Sequence, residues 1–185
     1  ASLPLVGRHN LQNALQAISA AVHLGVPVDH IIERLQSCPC PPGRLQMVPG
    51  SREDSPVFID FAHTDEALQS TLSSLRPLLP PNGELAVLFG CGGDRDRSKR
   101  PRMAAAALAH ADHVFITSDN PRSEDPESII ADITAGLTPD ERQRITIEPD
   151  RRESIKHAVS RADALGMTLL IAGKGHEQVQ LIGDR

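Results

Sequence analysis

The sequence predicts an α/β fold, with a mainly parallel sheet covered by helices on both faces. Three features point that way. From about residue 57 onward, short apolar runs alternate with stretches of helical periodicity. One run, Leu85-Ala86-Val87-Leu88-Phe89, is apolar throughout, as suits a strand buried on both faces. Four of the runs give way to loops that each carry an unusual set of polar residues. Ligands of open α/β sheets bind in the crevice outside the carboxyl ends of the strands.

The elements follow in order. Asn10 is placed to cap a helix in which Leu11, Leu15, Ile18 and Val22 recur at helical spacing, and Gly25 and Pro27 stop it. A second short helix, about 29–36, carries Ile31, Ile32 and Leu35 on one side. Cys38-Pro39-Cys40-Pro41-Pro42-Gly43 then breaks the chain, because successive prolines restrict the backbone and cannot continue a helix. That break reads as a domain hinge, with residues 1–40 ending one domain and 41–185 forming another. Beyond it, strands are predicted at 57–59, 85–89, 114–117, 145–147 and 169–172. Helices are predicted at about 65–76, 101–110 (opened by Pro101), 129–137 (starting near Asp125-Pro126) and 151–164. This order describes a Rossmann-like sheet preceded by a short helical tail.

Composition removes several classes of function. A formal net charge of -5, with four Phe and no Trp or Tyr, offers neither the bulk attraction nor the stacking surface for nucleic acid. No apolar run is long enough to span a membrane. The opening residues lack the pattern of a secretory signal. Cys38, Cys40 and Cys91 have neither the C-x-x-C spacing nor an even count, so free thiols in a reducing cytoplasm are expected. The eight His show no paired metal-ligand spacing, and no metal site built by this chain is expected.

The four loops carry the chemistry. Asp60-Phe61-Ala62-His63-Thr64 puts a carboxylate and an imidazole at a strand end, with Thr64 able to cap the next helix. Gly90 through Pro101 combines three Gly with a basic cluster. Arg95, Arg97, Lys99, Arg100 and Arg102 fall within eight positions, next to a helix start that favours anions. Asp119-Asn120-Pro121-Arg122 joins an amide, a rigid turn and a guanidinium able to grip a carboxylate with two bonds. Gly173-Lys174-Gly175-His176-Glu177 offers a tight turn, and Glu177 can accept from a ligand ammonium. It is not a phosphate loop: G-x-x-x-x-G-K-[ST] is absent from the chain. Taken singly, each loop also reads as an ordinary surface turn. Four on one sheet edge point to a site for a small charged molecule.

Taken together, the motifs resemble those of the Mur ligases of peptidoglycan synthesis, in particular the type that adds meso-diaminopimelate to UDP-N-acetylmuramoyl-L-alanyl-D-glutamate. Gly7 through Asn13, Pro42-Gly43-Arg44, the four loops, and their order and spacing carry the resemblance. It implies the end of a central ATPase domain followed by an amino-acid-binding domain of an ATP- and Mg2+-dependent, cytoplasmic amide ligase. It assigns His9, Asn10, Asn13, Arg44, Asp60, His63 and Lys99 to ATP. It assigns Arg95, Asp119, Asn120, Pro121, Arg122, Gly173 and Glu177 to meso-diaminopimelate. Asp119 is expected to shape that pocket rather than touch ligand. The guanidinium of Arg122 would pair with the distal carboxylate that lysine lacks. The UDP-sugar peptide, the P-loop and the metal would belong to parts of the ligase outside these residues, so this chain alone is expected to lack ligase activity. Two departures stand out. Asp65 replaces the Pro that often follows His-Thr in the family, and the sequence ends at Gly183-Asp184-Arg185. The alternatives are a related ligase (lysine-adding or folylpolyglutamate synthase type) or a freestanding amino-acid- or nucleotide-binding module.

Overall fold

The computed structural model describes residues 7–183, excluding the side chains of Arg8 and His9. Two helices come first, α1 (Arg8–His23) and α2 (Val28–Gln36). α1 begins a turn earlier than the capping pattern suggested. Gly7, at φ 96°, is its N-cap, and Asn10 lies inside the helix, 4% exposed. The helical period of Leu11, Leu15 and Val22 is real, yet these side chains are exposed, while Asn10 and Ala14 are buried.

Six strands form one sheet in the order β1-β2-β6-β3-β4-β5. They are β1 (Gln46–Met47), β2 (Val57–Ile59), β3 (Leu85–Phe89), β4 (His113–Ile116), β5 (Ile145–Ile147) and β6 (Thr168–Ile171). β1 pairs antiparallel with β2, and the other pairings are parallel. The apolar pattern did not reveal β1, since two residues carry no periodicity. In register, Phe58 lies beside Leu170, Leu170 beside Val87, and Val87 beside Val114.

Alternation along the strands divides the core in two. Val87, Phe89, Val114, Ile116 and Leu170 face α3 (Asp65–Leu75), α4 (Lys99–His110) and α5 (Pro126–Ile133), which contribute Leu68, Leu72, Met103, Ala107 and Ile133. Ala86, Leu88, Phe115 and Leu169 face the opposite way, onto Ala158 and Ala162 of α7 (Arg151–Leu165). Most of these side chains are fully buried. Each large one stabilises the fold by about 1.5–3 kcal/mol relative to exposure. Helices therefore cover both faces, as predicted.

Local signals account for the helix ends. Thr64 caps α3 by accepting from Ala67 N, Asp125 caps α5 through Ser128 N, and Asp150 caps α7 through Arg152 N and Glu153 N. α4 opens at Lys99, with Pro101 inside the first turn, where its missing N–H costs nothing. α5 stops at Ile133, and a short helix α6 (Pro139–Gln143) follows, opened by a Thr138–Glu141 capping box. α6 has no apolar stripe, so periodicity alone passed over it. The chain adds β2 through β5 by moves in one direction, then returns under α7 to insert β6 between β2 and β3. The loops after β2, β3, β4 and β6 thereby meet at one edge.

Candidate functional site

Asp60, 6% exposed, organises the loop after β2. Its Oδ2 accepts from Leu45 N at 2.7 Å, and its Oδ1 accepts from Ala62 N at 2.8 Å. This ties the turn holding Arg44 to the loop holding His63. The Arg44 guanidinium lies over the Phe61 ring, 5.0 Å from its centroid, and His63 meets the same ring edge-on at 4.8 Å. Asn10, Asn13, Arg44, Asp60, Phe61 and His63 line a cavity of about 570 Å³. The side chain of His9 lies outside the described residues.

A second cavity, of about 190 Å³, adjoins the first, with Phe61 and His63 lining both. Arg95 and Lys99 line it from the loop after β3; Asp119, Asn120 and Arg122 from the loop after β4; and Gly173 and Glu177 from the loop after β6. Lys99 is thus in the smaller cavity rather than with Asn10, Asn13 and Arg44. Its Nζ donates to the His63 carbonyl at 2.8 Å, which couples the two spaces. Pro121 does not line the cavity. Its carbonyl packs against Gly93, where a Cβ would overlap it.

Close backbone approach holds these loops together. Gly93 N donates to the Asn120 carbonyl at 2.9 Å, and Arg122 Nη1 donates to the Gly93 carbonyl at 2.8 Å. Arg122 adopts a left-handed backbone, φ 53°, which a non-glycine residue holds only where its surroundings compel it. Here the compulsion is a parallel bridge to the chain end. Arg122 N donates to the Leu181 carbonyl at 3.1 Å, and Gly183 N donates to the Arg122 carbonyl at 2.7 Å. Gly173, at φ 105°, leaves space for Asp119: an added Cβ would stand 2.8 Å from Asp119 Oδ2. Asp119 Oδ1 accepts from Asn120 N at 2.7 Å.

The five clustered bases divide their work. Arg95 and Lys99 face the cavity. Arg102 pairs with Asp65 at 3.0 Å. Arg97 and the fully buried Arg100 both pair with Glu124, at 2.8 and 2.9 Å, and Arg100 also reaches Asp132 at 2.8 Å. The Arg100 guanidinium, with the Asp94 amide and Arg97, holds the Glu124 carboxyl down at about 2. Glu124 accepts from Asp94 N at 2.6 Å, and Asp94 accepts from Ser123 Oγ at 2.8 Å. Those bonds to Ser123 hold the Asp94 carboxyl below its ordinary range. This network locks the loop after β3 onto the loop after β4.

Sequence reading did not assign Phe61, Arg100, Glu124 or Lys174 to the site. Phe61 left one signal: the other three Phe lie in strand runs, and Phe61 alone lies in a loop. A larger groove, about 650 Å³, lies on the α7 side. It is lined by apolar residues such as Val48, Ile155 and Val159 together with Arg151, Arg152, Lys174 and Glu177, and lacks Arg95, Asn120 and Arg122. A small cavity with guanidinium, ammonium and carboxylate groups on its walls suits a zwitterionic amino acid. A larger one beside it, with stacked Phe61 and Arg44, suits a flat or phosphorylated ligand.

Two adjoining polar cavities at the carboxyl edge of a mainly parallel sheet lie where open α/β domains bind their ligands. The chain belongs to the Mur ligase family, with residues 43–175 matching the model of the Mur ligase glutamate ligase domain. Over 185 aligned residues it is 48% identical to a UDP-N-acetylmuramoyl-L-alanyl-D-glutamate–2,6-diaminopimelate ligase of Synechococcus sp. (strain WH7803), covering 97% of this chain and 36% of that protein. A solved structure of a ligase of the same name superposes with a TM-score of 0.72 at 40% identity, covering 98% of this chain and 36% of that one. Folylpolyglutamate synthase of Mycobacterium tuberculosis, complexed with ADP and AMPPCP, superposes at 0.70 with 25% identity, over 92% of this chain and 38% of that one. The chain spans about a third of the length of the curated relatives it matches.

Proposed function

We propose that this chain is the amino-acid-binding portion of a ligase that adds meso-diaminopimelate to UDP-N-acetylmuramoyl-L-alanyl-D-glutamate in cytoplasmic peptidoglycan synthesis. One observation carries the reading: Arg95, Asn120, Arg122 and Glu177, from three loops, line a single 190 Å³ cavity. Arg95 and Arg122 would take the distal carboxylate, and Glu177 the neighbouring ammonium. Asp119, with Gly173 giving it room, shapes the wall, and Pro121 sets the turn. Lysine lacks the distal carboxylate and would leave two guanidinium groups unpaired, which is costly in a confined site. The 570 Å³ cavity would take ATP, with Asn10, Asn13, Arg44, Asp60 and His63 around it, and with Lys99 linking it to the amino-acid pocket. His9 is assigned there by resemblance to the family.

ATP supplies a phosphoryl group that gives the D-glutamate carboxylate a good leaving group. This chain's part is to hold the incoming amine in position and to shield it from water. Among the described residues no group of three or more His, Cys, Asp or Glu side chains could hold a metal ion. The resemblance to the family assigns Mg2+ and the UDP-sugar peptide to parts of the ligase outside this chain. The exposed Leu11, Leu15 and Val22 on α1 support grouping residues 1–40 with a preceding domain and 41–185 with this one. Among the described residues no helix is long and apolar enough to cross a membrane. Calorimetric titration of the chain with meso-diaminopimelate, against lysine and glutamate, tests the assignment. Selective binding of meso-diaminopimelate is expected, and equal binding of lysine would refute it.

A further inference from the structure

Lys174 sits behind the amino-acid cavity rather than in it. Its side chain is 12% exposed and lines the α7-side groove, not the 190 Å³ space. Its ammonium donates to Asn120 Oδ1 at 2.7 Å and to Glu177 Oε2 at 3.0 Å. Asn120 Nδ2 donates to the same Oε2 at 3.0 Å, closing a three-sided ring. Asn120 Oδ1 also accepts from Leu181 N at 2.9 Å. Two donors on Oδ1 decide which way the amide faces, so its NH2 is directed at Glu177. Glu177 Oε2 is taken twice, and Oε1 takes part in none of these bonds.

We propose that Lys174 is a positioning and specificity-determining residue, whose ammonium holds Asn120 and Glu177 in the one arrangement that presents an ionised carboxylate oxygen to the ammonium of a diaminocarboxylate ligand. This rests on the diaminopimelate reading above. A ligand ammonium needs a charged acceptor, and Glu177 is partly withdrawn from water. Burial pushes its carboxyl up, but the bonds from Lys174 and Asn120, with Arg122 nearby, outweigh it and leave the group below its ordinary range. The other charged or titratable groups around it are Arg151 of α7 and, across the cavity, Arg95, Lys99, Asp119 and His63. Among the residues that lower it, Lys174 makes the largest contribution.

The test uses Lys174→Met, which keeps an unbranched apolar stem without the charge, and Lys174→Arg. The Glu177 carboxyl is titrated by carbon-13 NMR, and meso-diaminopimelate binding is followed across the acidic range. In Lys174→Met the Glu177 titration moves to higher pH. Affinity for meso-diaminopimelate falls about tenfold, as for loss of a charged hydrogen-bond donor. The acidic limb of binding moves up with the titration. Lys174→Arg stays close to the parent in all three. An unchanged Glu177 titration in Lys174→Met overturns the proposal whatever the ligand does. A shifted titration with no binding of meso-diaminopimelate by the parent supports the Lys174 ring and counts instead against the function proposed above.

Discussion

Gly93→Ala isolates the contact on which the pocket depends. Gly93 has an ordinary backbone angle, so alanine there meets no conformational objection, and its effect is one of space alone. The added Cβ would overlap the Pro121 carbonyl oxygen and crowd the Glu124 Cβ at 3.2 Å. Both belong to the loop after β4, and a backbone carbonyl cannot rotate aside as a side-chain tip can. Relief requires separating the two loops, which strains the 2.9 Å bond from Gly93 N to the Asn120 carbonyl and the 2.8 Å bond from Arg122 to the Gly93 carbonyl. Overpacking costs about 1–3 kcal/mol. A neutral hydrogen bond adds about 1 kcal/mol and a charged one roughly 1.5–3 kcal/mol when lost. Partial relaxation keeps some of each, so about 2–4 kcal/mol is expected. For a domain of this size that lowers Tm by roughly 10 °C. Thermal unfolding followed by circular dichroism measures it, with Gly136→Ala as control. Gly136 has nothing within 4 Å of its added Cβ but sits at φ 78°, so it reports backbone strain without crowding. That strain costs about 1–2 kcal/mol. A Gly93→Ala protein as stable as the parent would refute the claim that contact between these loops builds the site.

Three further predictions follow from the same geometry. Arg122→Lys keeps a charge but not the planar fork, and should weaken meso-diaminopimelate binding nearly as much as Arg122→Ala, by about 1.5–3 kcal/mol in calorimetry; full affinity in Arg122→Lys would remove bidentate recognition. Glu124 has its carboxyl lowered from 4.5 to about 2, chiefly by Arg100. Its contribution to stability is therefore complete above about pH 4.5 and fades as pH falls toward 2, and Glu124→Gln should flatten that part of a urea-midpoint profile. Burial pushes the Cys91 thiol up to about 12, so a thiol reagent at pH 8 should label Cys38 and Cys40 and spare Cys91 until the protein unfolds.

Much of the fold was legible because its signals are local. A run such as Leu85–Phe89 reads as a buried strand, and Thr64 and Asp125-Pro126 announce the helices that follow them. The misses share a cause. β1 and α6 are too short or too polar to show a period. Asn10 resembles a cap, but Gly7 takes that place one turn earlier. Leu11, Leu15 and Val22 repeat correctly, yet period does not say whether a partner is present to bury the face.

The site divides along the same line. The sequence by itself determined the chemistry available: amide and guanidinium in Asp119–Arg122, carboxylate in Glu177, glycines where backbones must approach. The Mur ligase motifs are read from the same residues, because short loops keep their order along the chain. Tertiary structure alone decided how those groups are used. Five neighbouring bases look equivalent in sequence, but β-strand order and helix packing send Arg100 into the interior onto Glu124, Arg102 onto Asp65, and leave Arg95 and Lys99 on the cavity. Phe61 gained its place between two cavities, and Lys174 its place behind Glu177, from contacts between loops far apart in the chain. A charge's role depends on what surrounds it, and those surroundings exist only once β6 has inserted between β2 and β3.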